Sequence, residues 1–315
     1  MKDYTKRLKE IGLKRFLMKA FFYDEVYTVG IRNKQEYQNG RISTALPFSL
    51  IKESDQYWIA DPLLYKDQSK NWLFVEYFDQ LEKRGKIAVI DPDAQRNEMN
   101  PRVILSESYH MSFPMVFEWN QEVFMIPETS ENHSINLYRC IKMPFQWEKV
   151  KTFQTEVMIV DSVVIEQQRD KVVLLGSAVN PDNELEVRFL KYEISQSESG
   201  FTMTLSEENT LFCFNERNGG QPLTIDGERF LLTQNSTSVD YGVSFSVSSY
   251  EKDRLLPVQT ITKEQLQFSP AIDKKSIIGV HTYSATEQFE VTDVRYLKFD
   301  PLLNIKRVKK LLKRK

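Results

Sequence analysis

Acidic side chains stand at the ends of several short apolar runs in the middle of the chain. Asp61 follows Trp-Ile-Ala and precedes a proline, Glu76 follows Trp-Leu-Phe-Val, and Glu128 and Asp161 occupy comparable places further along. A pair of carboxyl groups, one ionised and one protonated, can catalyse glycosyl transfer, because positive charge develops on the sugar while the leaving oxygen needs a proton. These four residues are the candidate catalytic groups. The alternative for Asp61 is a structural one, since Asp-Pro is also a turn signal.

A second set of side chains could recognise a ligand. Arginine can hold a phosphate or carboxylate through two hydrogen bonds, histidines and amides can bond sugar hydroxyls, and aromatic rings can stack on a sugar face. The candidate binding residues of these types are Trp58, His110, Arg217, Gln221, Gln234, Tyr241 and His281. A core role for Trp58 and structural roles for the two histidines are the alternatives.

Other chemistries lack support in the sequence. There is no glycine-rich phosphate loop of the Walker or Rossmann type, and residues 218–220 (NGG) predict only a turn. No Gly-x-Ser-x-Gly elbow is present, and the three histidines and two cysteines show no metal-ligand spacing. Aromatic and basic residues are not interleaved as they are on a nucleic-acid platform. We expect no cofactor, no metal and no nucleic-acid partner, with a carboxylate-held calcium ion left open.

Short runs of strand-forming residues, separated by turns, fill the chain from about residue 57 to 300. Examples are residues 72–75 (WLFV), 87–90 (IAVI), 123–126 (VFMI) and 172–175 (VVLL). No convincing helical period separates them, which excludes alternating βαβ units. The chain is therefore predicted to be all-β, and its 41% hydrophobic residues suffice for a packed core.

A longer repeat selects one all-β architecture. An apolar run, a polar turn and a second apolar run recur four times, about 50 to 60 residues apart, and a weaker fifth copy begins near Gly279. Units of three or four strands at this spacing predict a five-bladed β-propeller. A strand around residues 26–31 is expected to complete the last blade and close the ring.

Strand order within a blade predicts where the acidic residues meet. The first strand lines the channel and the second runs antiparallel beside it, so the start of the first and the end of the second lie at one face. Asp61 and Glu76 hold these two places in the first unit, and Glu128, Asp161, Gln221 and Gln234 hold one or the other in later units. A carboxylate-lined pocket at one mouth of the channel is the prediction.

The two ends of the chain differ in charge from its middle. Residues 1–20 hold seven Lys or Arg and two acids, and residues 306–315 hold seven Lys or Arg and no acid, although the net charge is −2. Apolar residues lie among the basic ones, so we predict basic amphipathic helical segments at 1–22 and 301–315 around a propeller at 23–300. Each segment could lie on an anionic membrane or dock on the propeller.

The remaining global features point to the cytoplasm. The two cysteines, Cys140 and Cys213, are expected to be buried free thiols rather than a disulfide, which indicates a reducing compartment. No apolar run approaches the roughly 18 residues that span a bilayer, and the N-terminus lacks the features of a signal peptide. We expect a cytoplasmic protein held at the inner face of the membrane through its C-terminal segment.

Several motifs carry a resemblance to known families. The Ala-Asp-Pro at 60–62 and the later aspartate at 161 resemble the five-bladed glycoside hydrolases of the arabinanase, xylosidase, invertase and levansucrase group. The order and spacing of further motifs are similar to the N-terminal domain of the plant glucosamine inositolphosphorylceramide transferases, over roughly residues 50 to 300. These motifs are residues 110–117 (HMSFPMVF), 125–128 (MIPE), 160–162 (VDS), 217–222 (RNGGQP), Gln234, 241–242 (YG) and 279–282 (GVHT).

The resemblance implies roles for the acidic residues and a class of activity. Asp61 would be the base or nucleophile, Asp161 would stabilise charge or tune a neighbour, and Glu128 is favoured over Glu76 as the acid. It implies an enzyme that transfers a glycosyl group in cell-envelope or capsular polysaccharide biosynthesis, with a sugar or nucleotide-sugar substrate and a lipid-linked acceptor. A non-catalytic propeller that binds a glycan or a partner transferase, and a glycoside hydrolase, are the alternatives.

Overall fold

Five sheets stand around a central axis in the computed structural model of the protein. The inner strand of each sheet contacts the inner strands of its two neighbours, so the sheets form a closed ring. This arrangement confirms the predicted all-β, five-bladed propeller. The structure describes residues 21–37, 41–52, 54–68, 70–180, 183–214, 216–237, 240–251, 254–302 and 304–305.

Blades 1 to 4 each contain four antiparallel strands that follow one another along the chain. The strands of blade 1 are Tyr57–Asp67, Lys70–Asp79, Arg84–Ile90 and Arg102–Leu105. Those of blade 2 are Ser112–Trp119, Glu122–Glu128, Ser134–Lys142 and Gln146–Gln154. Those of blade 3 are Met158–Gln167, Lys171–Asn180, Asn183–Ser197 and Gly200–Phe214. Those of blade 4 are Glu216–Ile225, Glu228–Asn235, Ser244–Glu251 and Arg254–Thr262.

Blade 5 is built from both ends of the chain. The strand Tyr23–Asn33 pairs antiparallel with Phe289–Phe299 along its whole length of 11 residues, as expected for the strand that closes the ring. Pairing the first strand with the last satisfies the edges that an open sheet would leave exposed. The remaining strands of the blade are Phe48–Leu50, Phe268–Ser269, Ile277–Gly279 and Tyr283–Ala285.

Apolar faces of neighbouring blades form the core. Between blades 1 and 2, for example, Phe74, Ile87 and Val89 pack against Val116 and Met125, and all five are almost fully buried. Continuous burial on both faces explains why the inner and second strands read as unbroken apolar runs. A polar residue inside such a run is an exception to the apolar pattern of the strand. Its neighbours must replace the hydrogen bonds with water that it loses on burial.

A bulge recurs near the start of the inner strand. The pairing with the second strand skips two residues between Ala60 and Leu63, and the same gap occurs in blades 2 and 3. The first skipped residue is left-handed each time, with φ of 48° at Asp61, 43° at Phe113 and 49° at Asp161. A bulge re-aims a side chain out of the regular alternation. The sequence did not predict this feature, which gives the two aspartates equivalent positions in their blades.

The predicted helical ends are not borne out. Helical backbone in the described part of the chain is confined to residues 21–22, 304–305 and the short turn Ser130–Asn132. Residues 1–20 and 306–315 lie outside the described residues. No helix among those described is long and apolar enough to cross a membrane. Cys140 is a half-buried free thiol, and the side chain of Cys213 is not among those described.

One buried ion pair links the closing strand to its partner. Arg32 faces Glu290 in the register, with Nη2 and Oε2 3.2 Å apart and both side chains almost fully buried. The same carboxylate accepts hydrogen bonds from the Tyr283 hydroxyl at 2.6 Å and the Gln35 backbone N–H at 2.7 Å. Removal of this carboxylate would leave a buried guanidinium without its counter-charge.

Glu290→Ala is therefore expected to lower the free energy of unfolding by about 3 to 5 kcal/mol. Lys66→Ala is the matched control, because it breaks the exposed Lys66–Glu287 pair on the same side of the ring. The control should leave the free energy of unfolding almost unchanged. Guanidinium-induced unfolding measures both variants, and equal effects of the two substitutions would contradict the proposed importance of the buried pair.

Candidate active site

The four candidate catalytic carboxyl groups lie at one mouth of the channel. Asp61 and Asp161 occupy the bulges of blades 1 and 3, and Glu76 and Glu128 lie toward the ends of the second strands of blades 1 and 2. They are close enough to act on one another. Burial, followed by the negative charges of these neighbours, raises the pKa of Glu76 well above its usual value. Ionisation of all four carboxyl groups is therefore electrostatically unfavourable.

Asp161 and Glu128 are neighbouring carboxyl side chains at the mouth. Two buried carboxyl groups close to one another cannot both ionise without an electrostatic cost. Burial and the charge of Glu128 raise the pKa of Asp161 well above its usual value, while nearby Arg217 acts in the opposite direction. Glu128 also accepts hydrogen bonds from Ser112 at 3.2 Å and Ser130 at 2.7 Å. The two serine hydroxyls thus hold the Glu128 side chain beside Asp161.

Blade 4 holds Asp161 in place. The Gln234 side-chain amide donates to Asp161 Oδ2 at 3.0 Å and to the Asn218 carbonyl at 2.9 Å. Asn218 in turn donates to the Asp161 backbone carbonyl at 2.6 Å. Two glycines follow Asn218, and a Cβ on Gly220 would lie 1.9 Å from the Tyr283 carbonyl oxygen. The prediction that residues 218–220 form only a turn is wrong, because they lie in an inner strand that closely approaches blade 5.

A second unit joins blade 5 to blade 1 through Asp293. Its Oδ1 accepts from the His281 ring Nδ1 at 2.7 Å and from the backbone N–H groups of His281 and Thr282, both at 3.1 Å. Its Oδ2 accepts from the backbone N–H of Asp61 at 3.2 Å. The Asp61 carboxylate receives the Thr282 hydroxyl at 3.1 Å and lies 3.7 Å from His281 Nε2. His281 therefore stands between two aspartates.

The protonation of this unit follows from its contacts. Burial disfavours a charged His281, but the charge of Asp293, its hydrogen bond and the charge of Asp61 outweigh burial, so the pKa of His281 is raised. Burial raises the pKa of Asp61 to about 6, although the positive charge of His281 acts in the opposite direction. Asp61 therefore titrates close to the range in which a general base functions.

Among the described residues, these three side chains also form the group that could hold a metal ion. One ligand atom from each of Asp61, His281 and Asp293 lies within 4.8 Å of the others. The Asp293 carboxylate already accepts four N–H groups, three of them from the backbone or ring of residues 281 and 282. Its acceptor capacity is used by the protein itself, so the arrangement fits a hydrogen-bonded Asp-His-Asp unit better than a metal site.

Glu76 has a different environment, beside His110. The Gly85 backbone N–H donates to His110 Nδ1 at 3.0 Å, which leaves the ring proton on Nε2, 3.3 Å from Glu76 Oε1. That oxygen is buried and makes no hydrogen bond of good geometry. Burial lowers the pKa of His110, so the ring faces Glu76 in its neutral form. A protonated Glu76 carboxyl, rather than a carboxylate, suits this environment.

The two aromatic residues predicted to bind a sugar, Trp58 and Tyr241, have different surroundings. Trp58 stacks on Phe78 with ring centres 4.3 Å apart and planes 2° apart, and it also contacts Tyr27 at 4.9 Å. Its ring is engaged within the protein, which favours the packing alternative. Tyr241 meets the His281 ring edge-on at 5.3 Å, and the Arg217 guanidinium lies 5.1 Å from the Tyr241 ring centre.

The side chain of Gln221, which lies in the inner strand of blade 4, reaches across the channel toward blade 2. Its side-chain amide approaches the Val116 carbonyl of blade 2 at 3.5 Å. The structure therefore brings Asp61, Asp161, Glu76, Glu128, Gln234, Arg217, Tyr241 and both histidines to the mouth. The Gln221 side chain contacts blade 2, and the Trp58 ring packs on Phe78.

Sequence reasoning missed Asp293, whose carboxylate accepts four hydrogen bonds in the site. A signal for it existed in the repeat. Asp293 lies in the second strand of blade 5, inside an otherwise buried run, just as Glu76 does in blade 1. The fifth copy was too weak in the sequence for that position to be recognised.

Comparisons with known proteins agree with this architecture. The family described as glucosamine inositolphosphorylceramide transferase 1, N-terminal, matches residues 46–269. The glucosamine inositolphosphorylceramide transferase 1 of Arabidopsis thaliana is 26% identical over 251 residues, which are 76% of this chain and 31% of that protein. The protein of the same name from Oryza sativa subsp. indica is 26% identical over 226 residues, 68% of this chain and 28% of the relative. The chain thus matches less than a third of the length of these relatives.

Solved structures with the same fold include two α-L-arabinofuranosidases. The enzyme of Podospora anserina, in complex with cellotriose, has a TM-score of 0.51 at 10% identity and covers 87% of this chain and 98% of its own. The catalytic domain of the GH62 enzyme of Coprinopsis cinerea has a TM-score of 0.52 at 12% identity and covers 85% and 97%. At such identities the likeness concerns the fold.

The fold and the mouth residues define a five-bladed β-propeller with a buried acidic cluster at one end of its channel. Because the family match covers most of the chain, the protein belongs to the family of the N-terminal domain of glucosamine inositolphosphorylceramide transferase 1. This finding confirms the family resemblance inferred from the motifs.

Asp293→Asn is expected to lower the pKa of His281, because the ring loses the negative charge 2.7 Å from Nδ1. NMR titration of the histidine rings measures this directly, since the chain has only three histidines and His281→Gln assigns the signal. Glu287→Gln, at an exposed residue just before the same strand, is the control and should leave the His281 titration unchanged. An unaltered His281 pKa in Asp293→Asn would refute the Asp-His-Asp unit.

The raised pKa of Asp61 has a consequence for stability. A carboxyl whose pKa rises from 3.8 to about 6 on folding binds protons more tightly in the folded state. It contributes stability below pH 4 and loses that contribution as the pH rises to 6. Asp61→Asn should therefore gain stability relative to the wild type between pH 4 and 7, by up to about 3 kcal/mol.

Chemical unfolding at a series of pH values tests this expectation. Asp226→Asn, at an exposed turn, is the control and should track the wild type across the series. If the difference between Asp61→Asn and the wild type were independent of pH, Asp61 would not titrate as its surroundings require.

Proposed function

We propose that the protein is an enzyme that transfers a glycosyl group, with the carboxyl groups at the channel mouth as its catalytic machinery. The observation that carries the proposal is the convergence of Asp61, Glu76, Glu128 and Asp161 at one mouth of the channel. Burial and neighbouring charges raise the pKa of Glu76 and of Asp161 well above their usual values, whereas the pKa of Asp61 is raised to about 6. Carboxyl groups whose environments set their proton affinities apart are the usual acid and base of glycosyl chemistry.

Each residue has a proposed role. Asp61 acts as base or nucleophile, because it is held by Thr282 and backed by the protonated His281. Asp161 stabilises charge and tunes Glu128, which donates the proton. Glu76 is the second candidate for the acid, because its buried carboxyl has a raised pKa and an oxygen that lacks a hydrogen bond.

The proposed substrates are a nucleotide sugar and a lipid-linked acceptor in cell-envelope or capsular polysaccharide biosynthesis. Arg217 would hold the donor phosphate, since a guanidinium can bind it through two hydrogen bonds. The name of the plant relatives supports a sugar donor and a lipid acceptor, as it describes transfer involving glucosamine and inositolphosphorylceramide. The chain matches only part of those proteins, so their activity comes to it as part of this proposal.

One observation favours a second candidate, a propeller that binds a glycan or a partner transferase without catalysis. In the Arabidopsis relative, the match covers 31% of the protein and leaves the larger part of it unmatched. The carboxylates of Asp61 and Asp161 also have polar neighbours that could orient them for binding alone. A glycoside hydrolase would use the same carboxyl pair with water as the acceptor.

A panel of nucleotide sugars, each with and without a lipid-linked sugar acceptor, separates these functions. We expect the wild type to release nucleoside diphosphate in an acceptor-dependent manner and Asp61→Asn to be slower by roughly 10³-fold. Asp226→Asn is the matched control and should retain full activity. Free sugar released without an acceptor would instead identify a hydrolase. Glycan binding that is equal in the wild type and Asp61→Asn, with no turnover, would identify a binding module and end the proposal.

The acid can be assigned in the same assay. Glu128→Gln and Glu76→Gln each remove one ionisable carboxyl while they keep its shape. If Glu128 is the acid, its variant should lose activity mainly with donors that have poor leaving groups, and Glu76→Gln should lose much less. The reverse pattern would assign the role to Glu76.

A further inference from the structure

Ring closure brings the two ends of the described chain to one place. Tyr23 pairs with Phe299 at the end of the closing strands. Beyond that pair, the Asp300 N–H donates to the Phe22 carbonyl at 2.8 Å, and the Asn304 side chain donates to the Phe21 carbonyl at 2.9 Å. Phe21 and Phe22 therefore lie beside Asp300 and Asn304 at the end of the closing strands.

Large apolar side chains are exposed at this junction. They are held together by backbone contacts and by an approach of the Phe22 and Phe299 ring centres to 6.4 Å. Clustered exposed apolar residues, unlike single ones, mark a contact surface. We call this group of side chains the terminal patch. It consists of Phe21 at 50% exposure, Phe22 at 36%, Phe299 at 57%, Leu302 at 53% and Ile305 at 54%.

Strongly basic segments precede and follow the residues of the terminal patch in the sequence. Residues 1–20 contribute seven Lys or Arg against two acids, and residues 306–315 contribute seven against none. With a net charge of −2 for the whole chain, the rest of the protein is strongly acidic. An apolar patch whose neighbouring segments in the sequence are basic, in a chain that is otherwise acidic, fits a partner that is both anionic and apolar beneath its charge, which describes an anionic lipid surface.

The terminal patch lies on the same face of the ring as the candidate active site. Tyr23–Asn33 starts at this face, and Tyr27 on the same strand lies 5.5 Å from the His281 ring. A strand rises about 3.3 Å per residue, so the patch is separated from the site by only a few residues of strand. A flat surface bound by the patch would stand beside the channel mouth.

We infer that the terminal patch is a docking surface for an anionic lipid membrane, which attracts the basic residues that precede and follow the patch in the sequence, and that docking turns the channel mouth toward the bilayer. This goes beyond attachment through the C-terminal segment, since it needs both ends and the ring closure that unites them. It also names the class of acceptor as a membrane-embedded, lipid-linked sugar, a step that rests on the proposed function.

Two different contributions to the free energy of membrane binding, one electrostatic and one apolar, add to one another. Each basic residue near an anionic membrane contributes about 1 kcal/mol, and this contribution falls with salt as the Debye length shortens. The apolar side chains add a contribution that salt does not screen, because it comes from burial below the headgroups. A nucleic acid would use the charges but would gain little from five exposed apolar side chains.

Co-sedimentation of the full chain tests the docking surface. We expect binding to vesicles of phosphatidylcholine with added phosphatidylglycerol and little binding to phosphatidylcholine alone. The triple variant Phe299→Ser, Leu302→Ser, Ile305→Ser should weaken partitioning by at least about tenfold. The control variant Leu256→Ser, Val258→Ser removes exposed apolar residues of blade 4 and should bind like the wild type. Equal binding by the triple variant and the wild type, or no binding by the wild type at low salt, would overturn the inference.

Orientation provides a second and independent measurement. In a background with both cysteines replaced by serine, Gln56→Cys places an environment-sensitive dye on the mouth face, and Glu287→Cys places it on the opposite face, where Glu287 pairs with Lys66. Vesicles should change the emission of the first dye and leave the second unchanged, and the reverse result would refute the orientation. Neither measurement uses a sugar, so membrane binding without transferase activity would reject the proposed function and its acceptor while the docking surface stands.

Discussion

Closure of the ring by the first strand is the constraint on which the rest of the molecule depends. The pairing of Tyr23–Asn33 with Phe289–Phe299 removes the open edges of blade 5 and fixes that blade against blade 1. It places Tyr27 beside His281 and holds Asp293 where it can reach the backbone of Asp61. A propeller that failed to close would lose the Asp-His-Asp unit along with its last blade.

The carboxyl groups at the mouth are costly to the fold. Glu76, Asp161 and Asp61 are buried near one another, and their pKa values are raised because burial and mutual repulsion oppose their charges. A structure selected for stability alone would replace them with apolar residues, as the neighbouring positions of the same strands do. The left-handed backbone of Asp61 and Asp161 adds local strain at the same two positions. Backbone strain and buried charge occur together at many functional sites.

The sequence predicted the features that recur in every blade and missed the features that occur only once. Strand-forming runs at regular intervals predicted the propeller and its closing strand, because every blade must solve the same packing problem. Asp293 escaped prediction because its role arises from four donors supplied by residues 61, 281 and 282, which only the fold brings together. Likewise, Gly220 resembles a turn glycine in the sequence, yet it is required by the approach of the Tyr283 carbonyl. The stacking of Trp58 on Phe78 depends on strand register, which the sequence does not specify.

The hydrogen-bond inventory of the mouth limits what can bind there. Carboxylates are acceptors, and at the mouth one buried oxygen of Glu76 makes no hydrogen bond within the described part of the protein. A saccharide offers many hydroxyl donors without a charge and could donate to these acceptors. A phosphate would be repelled by the same carboxylates except on the side where Arg217 lies against Tyr241. A nucleotide sugar in the proposed reaction therefore has one reasonable orientation, with its phosphate toward blade 4 and its sugar between Asp161 and Asp61. The acceptor must then approach from the side of blades 5 and 1, which is the side on which the two chain ends meet.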